Sequence, residues 1–119
     1  MAADLGETVK SLAHAVRGCG GALLMGMDGI SVEQTVLAPG TDLEELGGEY
    51  AGLLPQVQAL ANELGCGAAQ RFSVRGVKHR VVFAFTEGDL VLGVQAASPG
   101  LTGHIRYAIR KAMGEIGEV

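Results

Sequence analysis

The chain lacks the features that several large classes of protein depend on. Its 119 residues carry a formal net charge of −4, whereas a general nucleic-acid binder normally has a basic excess. No segment approaches the ~20 consecutive apolar residues of a membrane span. Acids stand near the N-terminus, where a signal peptide needs a basic region and an apolar run. We therefore expect one cytoplasmic domain over residues 1–119, with neither nucleic-acid partners nor membrane insertion.

Motifs for catalysis, nucleotides and metals are missing as well. The sequence has no P-loop, no GxGxxG and no GxSxG nucleophile elbow. The three histidines, His14, His79 and His104, lie far apart. Cys19 and Cys66 form no CxxC motif, so a cluster of metal ligands is not expected, and both cysteines are interpreted as buried or half-buried small apolar residues. These absences predict no active site, no cofactor and no metal.

Five segments have the apolar patterns of β-strands. Residues 81–85 and 90–94 are continuous apolar runs, which are typical of strands covered on both faces. Residues 31–36 and 70–75 alternate apolar and polar side chains, as strands at a sheet edge or on a half-solvated face do. With the turn signals between them, these patterns predict strands at residues 22–27, 30–36, 69–75, 77–86 and 89–96.

The turn signals and the alternation together predict a topology. Asp28-Gly29 is a strong two-residue hairpin signal between the first two strands. Short turns join the third strand to the fourth and the fourth to the fifth. The order 2-1-5-4-3 satisfies every hairpin and places the two alternating strands at the edges. Because the central strands need cover on both faces, we expect a three-layer α/β/α sandwich around a five-stranded, mostly antiparallel sheet.

Helical periodicity predicts three helices around this sheet. The first follows a capping aspartate, Asp4, and the second ends at Gly65, which supplies a left-handed cap. Pro55 lies inside the second helix and should kink or break it, at a cost of ~3 kcal/mol in an unbroken helix. Ser98 is expected to cap the last helix, with Pro99 at its first position.

The second helix also carries a row of small residues: Gly48, Gly52, Pro55 and Ala59. Each interior glycine costs a helix ~1 kcal/mol relative to alanine, so a compensating close approach of another backbone is expected. One interpretation is that the helix packs tightly on its own sheet. The other, which we favour, is that it associates with a second copy at a twofold axis.

Basic residues occur on the third strand and on the last helix. Arg71 and Arg75 on the alternating strand either blunt a sheet edge or flank a contact with another strand or protein. Arg106, Arg110 and Lys111 lie on the outer side of the last helix. They form either a solvated face or a docking surface for an acidic partner.

The order helix, two strands, helix, three strands, helix resembles the Roadblock/dynein light chain family, and within it the bacterial MglB-like members. Residues 22–29, Ala-Leu-Leu-Met-Gly-Met-Asp-Gly, look like the family's apolar strand and Asp-Gly turn. Gly103, Ile105, Arg106 and Ile109-Arg110 resemble its last-helix pattern. The resemblance covers nearly the whole chain, and it implies a Roadblock/profilin-like fold.

The resemblance also implies a homodimer built through the second helix and the third strand. The expected interface residues are Gly48, Gly52, Pro55, Ala59, Arg71, Ser73 and Arg75. The implied partner is a small Ras-like GTPase, whose switch regions such a dimer would bind and whose GTP hydrolysis it could stimulate without an arginine finger. Two alternatives stay open: an adaptor dimer that assembles other subunits irrespective of nucleotide, and a small-ligand sensor or enzyme, which would need a pocket with converging polar groups.

Overall fold

A computed structural model describes residues 4–86, 88–98 and 102–117 of the chain. Four helices and five strands lie within these residues. In chain order they are α1 (Leu5–Ala15), β1 (Cys19–Gly26), β2 (Ser31–Val36), α2 (Leu43–Ala51), α3 (Leu54–Glu63), β3 (Arg71–Arg75), β4 (His79–Phe85), β5 (Leu90–Ala97) and α4 (Thr102–Ile116).

The strands form one sheet in the order β2-β1-β5-β4-β3, and every neighbouring pair is antiparallel. The predicted fold class and strand order are therefore confirmed. The β1–β2 hairpin turns at Asp28-Gly29, where Gly29 has a φ of 84° that favours glycine. Several strand ends differ from the prediction by a few residues: β1 starts earlier, at Cys19, and β3 starts later, at Arg71.

Two apolar cores lie on opposite faces of the sheet. On one face, α1 and α4 cover side chains of β1, β4 and β5, and the largest contributors include Leu12, Leu24, Leu92, Ile105 and Ile109. On the other face, α2 and α3 cover a smaller core of Leu23, Met25, Leu43, Leu54, Phe83 and Val91. Residues of β5 from Val91 to Val94 are all buried, as the continuous apolar run predicts, whereas Val81 and Val82 of β4 are only half-buried.

The predicted second helix is divided into α2 and α3 by a break before Pro55. Helix α2 ends at Ala51 with Gly52 as its C-cap, and Pro55 lies in the first turn of α3, where its missing N–H costs no helical hydrogen bond. Helical periodicity predicts that Leu43, Leu54, Leu60 and Leu64 lie on one apolar stripe of the second helix, and this is wrong beyond the break. Leu60 and Leu64 are 54% and 69% exposed, because α3 buries only its Leu54 fully against the sheet.

Helix α2 is held close to the β1–β2 turn by two glycines. A Cβ added at Gly47 would lie 2.7 Å from the Gly29 carbonyl oxygen and 3.1 Å from the Met25 sulfur. A Cβ added at Gly29 would lie 2.6 Å from the Gly47 oxygen. The two backbones can approach this closely only without side chains, and this contact sets the position of α2 over the first hairpin.

The start of the last helix falls at the limit of the described residues. Helix α4 is described from Thr102, and residues 99–101, to which a cap at Ser98 would bond, lie outside the described residues. Ser98 is buried after β5, where its hydroxyl donates to the Gly76 carbonyl oxygen at 2.8 Å. Pro99, expected at the first helical position, lies outside the described residues.

Candidate functional site

The row of small residues lies on the outer surface of α2 and α3. We call Gly48, Gly52, Pro55 and Ala59 the helix face, and all four are exposed. A Cβ built on Gly48 or Gly52 meets nothing within 4 Å. Tight packing of this row on the chain's own sheet is therefore wrong, because the glycine that packs there is the neighbouring Gly47. Gly48 lies inside α2, and a Cβ there would meet no contact that offsets its cost to the helix, whereas Gly52 is the C-cap.

An apolar stripe runs along one flank of α3. Leu53, Leu60 and Leu64 follow one another at spacings of seven and four, which places them on the same side of a helix. They are 39%, 54% and 69% exposed. They add exposed apolar area to the α2–α3 layer beside the helix face, and exposed apolar patches mark interaction sites.

Strand β3 has a free edge. Backbone hydrogen bonds join Gly76 to His79 and Phe85 to Gln70 at the two ends of the β3–β4 ladder. Because the bonded pairs of an antiparallel ladder alternate, the N–H and C=O groups of the residues between these pairs are directed alternately toward β4 and away from it. The backbone groups of Arg71, Ser73 and Arg75 therefore point outward, away from the sheet.

The side chains of the same three residues lie on the α4 side of the sheet. Arg71 and Ser73 pair with Ala84 and Val82, which pack with the α1–α4 core. Phe72 of β3 instead packs with the core under α2 and α3. The seven residues of the predicted interface therefore divide between two faces of the sheet: four on the helix face and three on the opposite side of β3. Their role in a dimer stays a prediction.

The side chains of β3, β4 and α4 enclose a cleft that we call the arginine crevice. It has a volume of about 120 Å³ and is lined by Arg71, Phe72, Ser73, Arg80, Val82, Ile105 and Arg106. Three of these seven are arginines, and no acidic residue is among the described residues that line it. Arg71 and Arg106 are exposed, whereas Arg80 is only 5% exposed.

Sequence reasoning missed Arg80, although a signal for it exists. The residue opens the apolar run of β4, and the period of two in a strand places it on the same face as Val82 and Ala84. The register confirms this placement, since Arg80 pairs with Arg75 on one side and with the buried Ala96 on the other.

Arg75 makes contacts within the chain. Its Nη2 donates to the Ser98 carbonyl oxygen at 2.8 Å, and its Nε donates to the Ser98 hydroxyl at 3.2 Å. These bonds, together with the bond from the Ser98 N–H to the Lys78 carbonyl oxygen at 2.9 Å, fasten the end of β5 to the β3–β4 turn. Arg75 thus has a structural role that Arg71 and Arg106 do not share.

A wider notch opens beside the crevice, at the start of β3. It measures about 870 Å³ and extends from Arg71 to Arg110 on α4, with Phe85 and Met113 among its apolar walls. Cys66 also lines it and is exposed, so the expectation that both cysteines are at least half-buried is wrong for Cys66. Cys19 is half-buried as expected, and burial raises the pKa of its thiol.

No metal site emerges from the described ranges. Among these residues, no three histidine, cysteine, aspartate or glutamate side chains are grouped to hold an ion. One ring nitrogen of His104, Nε2, lies 2.6 Å from the Ala15 carbonyl oxygen, so this histidine joins α4 to the end of α1. Within the same described residues, no helix is both long enough and apolar enough to cross a membrane.

Solved structures of other proteins share this architecture. Myxococcus xanthus MglB superimposes with a TM-score of 0.84 at 19% identity, covering 94% of this chain and 90% of that one. A Roadblock/LC7 domain from Streptomyces avermitilis gives 0.84 at 16% identity, covering 96% and 95%. Myxococcus xanthus MglC gives 0.64 at 28% identity, covering 92% and 93%. The chain has the Roadblock/LC7 fold. The resemblance found in the sequence is thereby confirmed for the fold.

A scan against protein-family models found no match, and a search of curated proteins found none either. The Roadblock/LC7 fold is thus recognised through its strand order and layers.

Charge is unevenly distributed over this Roadblock/LC7 fold. Between residues 18 and 70 the sequence has no lysine, arginine or histidine, but it has seven acids: Asp28, Glu33, Asp42, Glu44, Glu45, Glu49 and Glu63. Five of its nine basic residues lie on β3, β4 and α4 around the crevice and notch: Arg71, Arg75, Arg80, Arg106 and Arg110. Five of these acids lie in or next to α2 and α3, so that layer is acidic, whereas the surface around the crevice and the notch is basic.

Proposed function

We propose that this chain is a homodimeric regulatory module that binds a small Ras-like GTPase. The Roadblock/LC7 fold, shared with MglB over most of both chains, supports this class of function. The module supplies no active site of its own. It acts by ordering the switch loops of the GTPase, whose own residues and bound Mg²⁺ carry out any hydrolysis, and it contributes no arginine finger.

The observation that carries the dimer is the exposed helix face. Gly48 and Gly52 keep open space above them, although Gly48, which lies inside α2, costs that helix about 1 kcal/mol relative to alanine. A second helix that packed across this row could approach closely enough to offset that cost. The exposed stripe of Leu53, Leu60 and Leu64 would supply apolar area beside the crossing, toward the ~800 Å² per partner of a typical stable interface.

The dimer is tested by filling the open space at Gly52. We expect Gly52→Leu to fold normally, because no described residue other than its chain neighbours lies within 4 Å of the new Cβ, but to sediment as a monomer. Gly114→Leu is the matched control, since Gly114 on α4 also has open space around it and lies away from the helix face. Analytical ultracentrifugation of both variants at several concentrations decides the matter. A Gly52→Leu protein that remains dimeric would remove the helix face from the proposed interface.

The GTPase is tested with the Ras-like protein encoded in the same genome, loaded with either GDP or a non-hydrolysable GTP analogue. Size-exclusion chromatography with light scattering should show a complex only in the GTP-analogue state. Phosphate-release assays then measure whether hydrolysis is accelerated. Equal binding in both states would replace this proposal with the adaptor that ignores nucleotide, and no binding in either state would overturn the GTPase assignment.

A further inference from the structure

We propose that the β3–β4 turn of one protomer fills the notch at the start of β3 in a second copy of this chain, with the side chain of Val77 as its anchor. This inference rests on the homodimer proposed above and assigns the free edge of β3 to that dimer. Val77 belongs to a different part of the chain from the helix face, so its contribution can be measured separately.

The first argument is the exposure of Val77. Among the described residues, its side chain is the most exposed of the large hydrophobic ones, at 97%. The turn that carries it is closed by a bond of 2.8 Å from the Gly76 N–H to the His79 carbonyl oxygen, and the Lys78 carbonyl oxygen accepts a bond from the Ser98 N–H. The turn is thus held in place, and Val77 projects from it with almost no cover from its own protomer.

The second argument is the direction in which two β3 edges pair. Strand β3 is the last of the sheet, and Arg71, Ser73 and Arg75 direct their N–H and C=O groups to its free side. A second β3 would satisfy these groups and cover the edge. When the twofold axis is perpendicular to the sheet, the two strands run antiparallel, so the end of β3 in one copy lies beside its start in the other.

The turn arrives at the notch whichever central residue of β3 lies on the axis. In an antiparallel pair, the numbers of any two opposite residues add up to the same sum. With Phe72, Ser73 or Val74 on the axis, Val77 therefore lies opposite residue 67, 69 or 71 of the second copy. The notch is lined by Cys66 and residues 68–71, so each of these pairings brings Val77 to it.

The third argument is that the free edge stops at the notch. The side-chain amide of Gln58 exchanges two hydrogen bonds, of 3.0 and 2.8 Å, with the C=O and N–H of Ala69. Ala69 follows the same alternation as Arg71, so its backbone groups would otherwise be directed to a second strand. Since Gln58 already binds them, a strand of the second copy has to end opposite Arg71, and a turn has to follow it. The β3–β4 turn is the segment that comes next in the chain.

The fourth argument is the fit of an apolar anchor to the notch. Phe85 and Met113 are among its apolar walls, and its volume of about 870 Å³ is ample for a valine and the two residues beside it. Arg71 and Arg110 border the notch, and no acidic residue is among the described residues that line it. An uncharged branched side chain can therefore lie against the apolar walls, whereas a basic one would be repelled. Because the dimer is symmetric, the contact occurs twice.

The anchor is tested by Val77→Lys, compared with the wild type by sedimentation equilibrium. The variant should fold, because the side chain lies in solvent in the protomer. Its dimer dissociation constant should rise about tenfold or more, because each new ammonium group meets Arg71 and Arg110. Tyr107→Lys is the matched control. Tyr107 is 70% exposed and faces the groove between α1 and α4, so this change should leave the dissociation constant unaltered.

The position of the turn is tested by cross-linking, with the exposed Cys66 as the second thiol. A short bismaleimide should join the new thiol of Val77→Cys to Cys66 of the second copy. Denaturing electrophoresis should then show a covalent dimer, which the additional change Cys66→Ser should remove. Lys10→Cys places a thiol on the exposed side of α1 and should give no more cross-linked dimer than the wild type.

The outcomes separate this inference from the homodimer itself. If the wild type is dimeric but Val77→Lys dissociates no more readily, or Val77→Cys forms no cross-link through Cys66, the inference is overturned and the homodimer stands. A wild type that is monomeric at every concentration would overturn both. Equal weakening in Tyr107→Lys and Val77→Lys would show an effect of added net charge alone, which would also overturn the inference.

Discussion

At the scale of single residues, two adjacent glycines of α2 have opposite surroundings. Gly47 faces the Gly29 carbonyl oxygen and the Met25 sulfur, while Gly48 faces open space. The sequence shows both as interior glycines with the same cost to the helix. Spacing alone placed Gly48 in the row of small residues and gave no reason to single out Gly47, because the contact at Gly47 is made by a turn that lies 18 positions away in the chain.

The same substitution at these two positions should have opposite effects on stability. We expect Gly47→Ala to lower the free energy of unfolding by about 1–3 kcal/mol, because the new Cβ forces α2 away from the first hairpin. Gly48→Ala should raise the free energy of unfolding by ~0.5–1 kcal/mol, because alanine is the better helix former. Urea unfolding followed by circular dichroism measures both, at a protein concentration where ultracentrifugation shows the same oligomeric state. Equal effects at the two positions would contradict the described packing of α2 on the hairpin.

The arginines show which properties can be predicted from local sequence and which depend on tertiary contacts. Arg71, Arg75 and Arg106 are evident from the sequence as exposed basic positions. Their different roles are not, because the bonds from Arg75 to Ser98 join residues 23 positions apart. The crevice likewise depends on α4 lying over β3. Which arginine is structural and which is available to a partner is thus decided by tertiary contacts.

At the scale of elements, alternating polar and apolar residues in an edge strand suggest buried apolar and exposed polar side chains. Strand β2 shows the reverse. In β2, the polar residues Ser31, Glu33 and Thr35 are half-buried, whereas Val32 and Val36 are 49% and 46% exposed. The polar side of the strand lies toward α1, and a Cβ added at Gly6 of that helix would lie 3.2 Å from Glu33 Oε2. The α2–α3 layer leaves Val32 and Val36 on the other side about half exposed. Periodicity correctly placed β2 at an edge, but it cannot tell which of its two faces a helix covers.

The same valine-to-threonine substitution should therefore change the free energy of unfolding very differently in β2 and in β5. Val32→Thr should change the free energy of unfolding by less than about 0.5 kcal/mol, since the side chain is half in solvent. Val94→Thr in β5 should lower it by about 1–3 kcal/mol, because Val94 is 1% exposed and a hydroxyl there would be buried in an apolar core. Thermal and urea unfolding of the two variants provide the comparison. A large loss for Val32→Thr would mean that β2 has a covered apolar face after all.

At the scale of the whole molecule, the strand order can be predicted from the sequence because a small number of local signals determines it. Three hairpins and two alternating strands leave the order β2-β1-β5-β4-β3, and the structure has it. The uneven distribution of charge can also be predicted from the sequence, because no basic residue occurs from position 18 to 70. The extent to which helices cover each face of the sheet could not be predicted from the sequence, because it depends on the direction that α3 takes after the break before Pro55.

The two layers of helices differ in how firmly they are anchored, and hydrogen exchange should detect the difference. Helix α4 buries Ile105, Ala108, Ile109, Ala112 and Ile116 in the larger core, whereas α3 buries only Leu54. Beyond Leu54, α3 is joined to the chain before β3 through Gln58, whose amide exchanges two hydrogen bonds of 3.0 and 2.8 Å with Ala69. Segments with few buried apolar contacts open at lower free energy than the core does. In the isolated protomer we expect the amides of α3 to exchange faster than those of α4.

Association through the helix face would change this ranking, because α3 supplies both Pro55 and Ala59 of that face as well as the exposed leucine stripe. In mass-spectrometric hydrogen exchange at high protein concentration, the amides of α3 should be protected in the wild type and should exchange rapidly in the Gly52→Leu variant. The exchange rates of the α4 amides should be the same in both proteins. Protection of α3 that is equal in the two proteins would mean that its stability comes from within the chain. The exposed leucines would then need a partner other than a second copy to account for them.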